Sequence, residues 1–563
     1  MAYRAPLSDI QFILDQVVPL ARVAATDRFA EATPDLAEAV LSEAAKLCDT
    51  VMAPVQRAGD LNPALLDNGV VRSSPGFAEA FRAIADGGWV AVSAPAEYGG
   101  MGLPQTLNMA IGDMMSGACL SLQLNPLLTQ GQIEALDHHA SDELKALYLP
   151  KLISGEWSGT MNLTEPQAGS DVGALRTKAE PKDDGSYAIT GQKIFISWGD
   201  ADFTTNTCHL VLARLVGARD GTKGISLFMV PKFIPDAAGN PGKRNGVSVV
   251  SLEHKLGLHG SPTCVMAFER ATGWMVGEPN RGMAAMFTMM NNARLGVAMQ
   301  GIGVAEAACQ MATNYAVERK QFGPIADHPD VRRMLASMRA EIFAARSIAL
   351  SCAVATDLGT ALGEAEWAAR AAFLTPIAKA YGTETGMQVS QTAMQVMGGM
   401  GYVEETGIAQ FYRDVRVTAI YEGTNGIQAM DLVGRKMADG GEAAFRLLEE
   451  VEAGAEAARV TIPDLAEDVW AAAETLREAT EWLIAQPMPD RFAGAVPYLE
   501  AFGRVLGAHY HLRAASVPGA DEGRQRLARV YIRRLLPRYA ALLTEARCGA
   551  EDLMSLSPDF LAS

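Results

Sequence analysis

The chain has 563 residues, of which 49% are hydrophobic and 20% charged, a composition typical of folded globular proteins. Its length exceeds what a single hydrophobic core supports, so we expect about three or four domains. The formal net charge of -17 favours solubility and opposes binding to phosphate backbones, which argues against a nucleic-acid partner.

Residues 1–20 contain Arg4, Asp9 and Asp15, which interrupt any apolar core of a signal peptide. We find no run of about 20 apolar residues that predicts a membrane span. The seven cysteines form no CxxC pair and are odd in number, which is typical of a reduced, cytoplasmic protein. The eight histidines include no HExxH motif, so no metal site is predicted.

Residues 1–156 have the pattern of an N-terminal α-helical domain. Ser8 to Gln11 has the form of a capping box, with Ser8 as the predicted N-cap. Residues 95–104 are rich in glycine and proline and predict a loop. One apolar helix face is predicted from the spacing of Ile10, Ile13, Leu14 and Val17.

Residues 157–281 predict a middle β-barrel domain, because short β-branched runs alternate there with turn signals. An Asp-Gly pair within residues 182–185 predicts a hairpin. The expected strands are 175–180, 187–197, 208–215, 225–231, 247–252 and 264–268.

Helical patterns return in residues 282–440, where we expect a four-helix bundle. The first long helix is expected over 283–318, where polar residues at 291–294 interrupt the apolar run, and Pro376 is expected to kink or break a helix over 364–397. Residues 441–563 predict an extra C-terminal helical domain. The predicted fold class is therefore α+β and multidomain.

Several short motifs are candidates for binding an anionic or flat ligand. Residues 164–171 offer the backbone N–H groups of Gly169 and Ser170, although, taken alone, they are better explained by a plain turn. Phe195 and Ser197 lie two apart on a strand and are able to cover and hydrogen-bond a ring, or to form part of a core. Arg319 in residues 319–323 is suited to a phosphate or to a solvated helix end.

Two later stretches complete the set. Residues 395–402 place three glycines in four positions after a helix, which fits a helix cap and does not fit a Rossmann turn. Glu422 lies between Tyr421 and Gly423, where partial desolvation is expected to make it a better general base.

Taken in order, TEPxAGSD, a strand ending in F-I-S, R-x-Q-F-G, Q-x-x-G-G-x-G-Y and Y-E-G-T closely resemble the acyl-CoA dehydrogenase family of flavoproteins. The resemblance covers roughly residues 60–440. It implies FAD bound between the β domain and the bundle, and Glu422 as the catalytic base. In some relatives the base lies instead on the helix of Arg294, but Asn291, Asn292 and Ala293 cannot serve.

The resemblance also implies ligand contacts, with residues 319–322 and 395–399 reaching the FAD of a neighbouring subunit in a homo-oligomer, a dimer or a dimer of dimers. The implied substrate contacts are Ser170, Asn291, Arg294, Tyr421 and Gly423. The implied FAD contacts are Met161, Leu163, Thr164, Gly169, Ser170, Phe195, Ile196, Ser197, Arg319, Gln321, Phe322, Gln395, Gly398, Gly399, Thr424 and Asn425.

The implied reaction is α,β-dehydrogenation of an acyl-CoA thioester to a trans-2-enoyl-CoA, with electrons passed to an electron-transfer flavoprotein. Gly426 departs from shorter relatives, which often carry a polar residue there, and Gln167 replaces a common glycine. The extra C-terminal block resembles a long subgroup whose substrates include 3-(methylthio)propanoyl-CoA and medium- or long-chain fatty acyl-CoAs. Two alternatives stay open, an acyl-CoA oxidase and a DNA-associated, repair-linked homologue with an arginine-rich face in residues 524–538.

Overall fold

The structure is a computed structural model that describes residues 3–18 and 20–563. The described chain forms two compact units. The sheet unit comprises residues 3–5 and Ser42–Gly296, and the helical unit comprises Pro6–Leu41 and Val297–Ser563. These units divide the chain differently from the four predicted domains.

The α-helices are distributed along the whole described chain, from Leu7 to Ala562. In order, the α-helices are α1 Leu7–Phe12, α2 Leu20–Ala24, α3 Pro34–Leu47, α4 Ala53–Leu61, α5 Phe77–Asp86, α6 Gln105–His139, α7 Asp142–Ile153, α8 Gly282–Glu318, α9 Pro329–Leu362, α10 Ala365–Val396, α11 Ile408–Val415, α12 Asn425–Asp431, α13 Glu442–Ala458, α14 Pro463–Ala485, α15 Met488–Ala493, α16 Ala495–Ala515, α17 Glu522–Val530, α18 Arg538–Ala546, α19 Glu551–Ser555 and α20 Pro558–Ala562.

The strands lie in the sheet unit. They are β1 Leu65–Asp67, β2 Val70–Arg72, β3 Trp157–Asn162, β4 Lys178–Pro181, β5 Tyr187–Ser197, β6 Asn206–Leu215, β7 Ile225–Pro231, β8 Phe233–Pro235, β9 Pro241–Arg244, β10 Val247–Leu252 and β11 Thr263–Val276. The predicted hairpin is confirmed, because β4 and β5 pair antiparallel on either side of residues 182–186. The strand expected at 264–268 is much longer, and β1, β2, β3, β8 and β9 were not predicted.

The main sheet is mixed and has seven strands. β11 pairs antiparallel with β5, β7 and β10, whereas β6 pairs in parallel with β3 and β4 and antiparallel with β7. The strand pairs therefore form a closed circuit through β4, β5, β11, β7 and β6. Its inward side chains, which include Ile189, Val211, Phe228 and Phe268, form a buried apolar core.

The end of β5 carries a β-bulge. Lys193 pairs with Met266 and Ile196 pairs with Cys264, so two residues of β5 oppose one residue of β11. Bulges bend a strand and redirect a side chain, and they are frequent beside active sites. Phe195, inside the bulge, has φ +60° and is 60% exposed.

Two predictions for the first helix had opposite outcomes. The apolar face is confirmed, because Ile10 of α1 is fully buried, as are Ile13 and Val17 of the π-helical segment Ile13–Val17 that continues α1. The N-cap prediction is wrong, because α1 begins before Ser8 and the N–H groups of Asp9 and Ile10 donate to the carbonyl of Pro6.

The long helix predicted over 283–318 is confirmed as α8, and α10 is more continuous than expected. Within α8 the polar residues Asn292 and Arg294 direct their side chains to Glu134 and to the ring of Phe287. α10 runs through Pro376 to Val396, and its neighbouring side chains Phe373 and Ile377 are buried. Burial there outweighs the loss of one backbone hydrogen bond.

The C-terminal block packs into the helical unit. α16 lies against α9 and α10, and a buried polar network joins them. In this network the Tyr381 hydroxyl donates to Glu341 at 2.6 Å and contacts the Tyr531 hydroxyl at 2.7 Å, while Arg504 donates to Glu341 at 3.1 Å. Fully hydrogen-bonded buried networks rigidify an interface.

By length and composition alone, α9 qualifies as a membrane span, but 89% of its apolar window is buried. All seven cysteines are free thiols, and six of them are buried. In residues 3–18 and 20–563, no three His, Cys, Asp or Glu side chains group in a way that could hold a metal ion.

Candidate active site

The loop after β3, residues 163–165, is held in place by a buried ion pair between Lys193 of β5 and Glu165. Lys193 is fully buried and donates to Glu165 Oε1 and to the carbonyl of Leu163, both at 2.9 Å. Glu165 also accepts hydrogen bonds from the backbone N–H groups of Arg176 at 2.7 Å and Thr177 at 3.0 Å. These contacts fix the backbone on both sides of Thr164.

The ion pair and its burial shift the pKa values of both Glu165 and Lys193. Burial alone would raise the pKa of Glu165, but the Lys193 charge and the hydrogen bonds outweigh it and lower the pKa to about 2. Burial lowers the pKa of Lys193 to about 8, against the opposing effect of Glu165. Both groups are therefore charged at neutral pH.

Three predicted ligand-binding hydroxyls are in the sheet unit. Thr164 and Ser197 are half-buried and Ser170 is exposed. Within the part of the chain that the structure describes, these hydroxyls make no hydrogen bond to protein. A half-buried hydroxyl that the protein leaves unbonded is suited to a polar ligand edge.

The other predicted cofactor residues of the sheet unit differ in exposure. Met161 and Leu163 are half-buried, and Gly169 is exposed with no atom within 4 Å of a Cβ built on it. Ile196 is only 3% exposed and belongs to the sheet core, so its side chain packs inward.

On α8, the predicted substrate residues form a small polar group. Arg294 is 6% exposed, with its guanidinium 5.9 Å from the ring of Phe287 and 3.5 Å from Asn291 Oδ1. Asn292 donates to Glu134 of α6 at 2.5 Å. Burial raises the pKa of Glu134, and the hydrogen bond from Asn292 reduces that rise. Both carboxamides are therefore hydrogen-bonded to neighbouring side chains.

In the helical unit, Glu422 lies on the loop between residues 416–419 and α12. Its backbone is left-handed, with φ +55°, and Gly423 follows with φ +86°. A non-glycine residue in this region is strained by about 1–3 kcal/mol, and such residues cluster at functional sites. The side chain of Glu422 is half-buried. The loop therefore holds a carboxylate at a strained and partly exposed position.

Three buried polar side chains, those of Gln300, Lys379 and Gln428, hydrogen-bond this loop. Gln428 donates to the carbonyl of Glu422 at 3.2 Å, and Lys379 of α10 donates to the carbonyl of Gly423 at 3.0 Å. Tyr421 donates its hydroxyl to Gln300 of α8. Burial, with a smaller effect of the nearby Glu422 charge, raises the pKa of Tyr421, so its hydroxyl stays protonated.

The residues after Glu422 make hydrogen bonds within the helical unit. Thr424 is the N-cap of α12, with Oγ1 accepting from the N–H of Ile427 at 3.2 Å. The Asn425 amide accepts from Lys379 at 3.0 Å and donates to Glu384 at 2.8 Å. The side chain of Asn425 thus supports the loop, which the motif alone did not indicate.

Two exposed turns hold the remaining predicted cofactor residues. Phe322 has φ +56° and is completely exposed, and the guanidinium of Arg319 makes no ion pair among the described residues. Gln321 is exposed and donates to the carbonyl of Lys320. Gln395, Gly398 and Gly399 are exposed, and Tyr402 beside them is 90% exposed. Phe322 and Tyr402 are therefore large exposed side chains within the two turns.

Sequence reasoning missed Lys193, Lys379, Gln300 and Gln428. The available signal was a lysine at an inward position of a strand and another in the apolar stretch 373–381 of a helix. A charge in such a place requires a partner, although the sequence does not say which.

Four family models match successive parts of the chain. They are the acyl-CoA dehydrogenase N-terminal domain at 35–156, its middle domain at 160–271, its C-terminal domain at 280–438 and an acetyl-CoA dehydrogenase C-terminal-like domain at 447–557. The chain belongs to the acyl-CoA dehydrogenase family, whose members are FAD-dependent oxidoreductases acting on CH–CH bonds.

Among its relatives is a 3-methylmercaptopropionyl-CoA dehydrogenase of Ruegeria pomeroyi, 44% identical over 90% of this chain and 89% of that protein. A broad-specificity linear acyl-CoA dehydrogenase of Mycobacterium tuberculosis is 35% identical over 77% of this chain and 75% of its own length. An acyl-CoA dehydrogenase of Bacillus anthracis, solved with FAD, has a TM-score of 0.76 at 20% identity and covers 100% of this chain and 94% of its own. The similarity to the Bacillus anthracis structure shows a shared fold.

Proposed function

We propose that Glu422 removes the α-proton of an acyl-CoA thioester in the dehydrogenation to a trans-2-enoyl-CoA. The observation that carries the proposal is a carboxylate on a strained loop whose carbonyls are held by Lys379 and Gln428. The α-proton passes to Glu422, and the β-hydrogen leaves as a hydride. The N–H of Glu422 donates to the thioester carbonyl, where negative charge develops as the proton leaves.

FAD, when bound, supplies the acceptor for that hydride. The unbonded hydroxyls of Thr164, Ser170 and Ser197 and the exposed ring of Phe195 fit a flat heterocycle with a polar edge. Arg319 fits a diphosphate, because a guanidinium is always charged and donates through several N–H groups. The other residues proposed to contact FAD are Met161, Leu163, Gly169, Ile196 through its backbone, Gln321, Phe322, Gln395, Gly398, Gly399, Thr424 and Asn425.

The proposed substrate is 3-(methylthio)propanoyl-CoA, supported by the 44% identity to the Ruegeria enzyme over almost the whole chain. Ser170, Asn291, Arg294, Tyr421 and Gly423 are proposed to line its site. A linear fatty acyl-CoA is the second candidate, favoured by the 35% identity to the broad-specificity Mycobacterium enzyme.

The exposed residues of 319–323 and 395–402 support a homo-oligomer in which a second copy covers Phe322 and Tyr402. The proposed electron acceptor is an electron-transfer flavoprotein. A reducing, cytoplasmic location agrees with the free thiols.

The ion pairs of the C-terminal arginines argue against a DNA-binding face. Arg524 pairs with Asp9, Arg526 with Glu522, and Arg529 and Arg533 with Asp464. Arginines that are paired with carboxylates in this way have less charge to offer to phosphates.

We further propose that the closed strand circuit is a β-barrel and that α8, α9, α10 and the segment around α12 form the four-helix bundle. The proposed domains are 1–156, 157–281, 282–440 and 441–563. The ranges of the four family models support these boundaries.

The test is loss of flavin absorbance when the purified FAD-loaded protein meets a panel of acyl-CoAs without oxygen. The panel contains 3-(methylthio)propanoyl-, butyryl-, octanoyl- and palmitoyl-CoA. We expect bleaching, fastest with the first, and a fall of about a hundredfold or more in Glu422→Gln, because a general base contributes about that much.

Bleaching of Glu422→Gln at the wild-type rate contradicts the base assignment, and a fastest reaction with octanoyl- or palmitoyl-CoA selects the fatty acyl alternative. Reoxidation of the bleached enzyme by air within seconds would instead indicate an oxidase.

A further inference from the structure

The loop of Glu422 is held by side chains that lie outside its motif. Lys379, on α10, is fully buried and donates to the carbonyl of Gly423 at 3.0 Å. Gln428, on α12, is fully buried and donates to the carbonyl of Glu422 at 3.2 Å. The two contacts fall on successive carbonyls, one on each of the peptide groups that follow Glu422 and Gly423.

Such contacts matter because the loop conformation is unfavourable by itself. L residues avoid the left-handed region, and Glu422 has φ +55°. A carbonyl that accepts from a buried donor cannot rotate without leaving that donor unsatisfied. Fixing the peptide group of Glu422 therefore fixes the direction of its Cα–Cβ bond.

The same two side chains also fill the space under the loop. A Cβ at Gly423 would lie 2.7 Å from Gln428 Nε2, so the amide of Gln428 packs directly against the glycine. Lys379 donates in addition to Asn425 Oδ1 at 3.0 Å, and Thr383 of α10 contacts the same oxygen at 3.2 Å. Lys379 therefore joins the loop, the start of α12 and the body of α10.

We propose that Lys379 and Gln428 are positioning residues that hold Glu422 in its left-handed conformation and aim its carboxylate for proton abstraction. The catalytic part rests on the proposed function, whereas the structural part concerns the loop alone. Neither residue is expected to touch the substrate. Their loss should therefore slow the chemical step more than it weakens substrate binding.

The experiment compares Lys379→Met and Gln428→Met with the wild type. Both substitutions remove the donor and keep an apolar chain of similar length. Thr480→Val is the matched control, because Thr480 is fully buried in α14 of the same unit and its hydroxyl hydrogen-bonds Tyr498 at 2.9 Å. All four FAD-loaded proteins are examined by amide hydrogen exchange and by stopped-flow flavin reduction with 3-(methylthio)propanoyl-CoA.

We expect exchange in the peptide covering residues 416–430 to rise about tenfold in both variants, since local opening becomes easier. The limiting rate of flavin reduction should fall about tenfold to a hundredfold, the effect of a small misplacement of a catalytic group. The apparent substrate Kd should change less than about threefold, because these substitutions are expected to weaken stabilisation of the transition state and not binding of the substrate. Thr480→Val should change neither the exchange of this peptide nor the rate.

Unchanged exchange in residues 416–430 overturns the proposal, as does exchange that rises evenly over the whole helical unit. Unchanged reduction rates with a loosened loop overturn the catalytic part. If Lys379→Met does not fold, Gln428→Met decides on its own. If no acyl-CoA bleaches the wild type, the proposed function fails, and hydrogen exchange still decides whether these residues hold the loop.

Discussion

Two loops of this protein are each held by a buried lysine, and they differ in the backbone that the lysine holds. Lys193 donates to the carbonyl of Leu163 and to Glu165, in a loop whose residues 163–165 have no left-handed backbone. Lys379 donates to the carbonyl of Gly423 and to Asn425, next to the left-handed Glu422 and Gly423. The first lysine therefore supports a relaxed backbone, whereas the second stabilises a backbone that is unfavourable by itself.

The largest expected effect is on the first loop. Glu165→Ala should lower the free energy of unfolding by about 3–5 kcal/mol, because it leaves Lys193 charged and unpaired in a buried place. Urea denaturation measures it. The control is Glu180→Ala in β4, whose exposed pair with Arg270 should contribute less than about 1 kcal/mol. Equal losses in both variants would show that the buried pair is not a special support.

The second effect is on acid stability. The pKa of Glu165 is about 2 in the folded protein, below its ordinary value of 4.5, so the folded state binds fewer protons. Its stabilisation is complete above about pH 5 and is lost as the pH falls towards 2, by up to about 3 kcal/mol. Unfolding curves from pH 6 to pH 3 measure the slope. Glu165→Gln should show a shallower slope, and an identical slope in that variant would remove the role of this carboxylate.

The smallest effect concerns the second loop. Gly423→Ala places a Cβ 2.7 Å from Gln428 Nε2 at φ +86°, whereas Gly398→Ala, at φ +58°, meets no atom within 4 Å. Both substitutions incur the left-handed strain of about 1–2 kcal/mol, and Gly423→Ala adds a displacement of Gln428. Thermal unfolding should rank Gly423→Ala as the less stable of the two. The reverse order would show that Gln428 yields freely and does not brace the loop.

The sequence predicted elements whose signals are local. The face of Ile10, Ile13 and Val17 and the hairpin between β4 and β5 depend on spacing within a few residues, and both were confirmed. Where the structure differs, the reason lies in distant packing. α10 continues through Pro376, where the sequence predicted a kink or a break, because the neighbouring Phe373 and Ile377 are buried, which no local pattern reveals.

The site residues divide in the same way, into those with a local sequence signal and those that depend on distant contacts. Glu422 stands out because its neighbours in sequence form a motif, and the structure adds its strained backbone. Lys379 and Glu165 were not assigned, because their partners are far along the chain or belong to the backbone. Hydrogen bonds to carbonyl groups leave no trace in residue types, since every residue carries a carbonyl.

The bulge in β5 changes the parity of the strand. Lys193 and Ile196 both face inward although they are three positions apart, which an unbroken strand does not allow. Deleting Phe195 would remove the extra residue and restore the alternation, with Ile196 still opposite Cys264 and Ser197 still opposite Thr263. A single-residue deletion there would therefore straighten the strand end, which a substitution of Phe195 would not do. The length of this strand end, and not only its residue types, is part of what the sequence has to preserve.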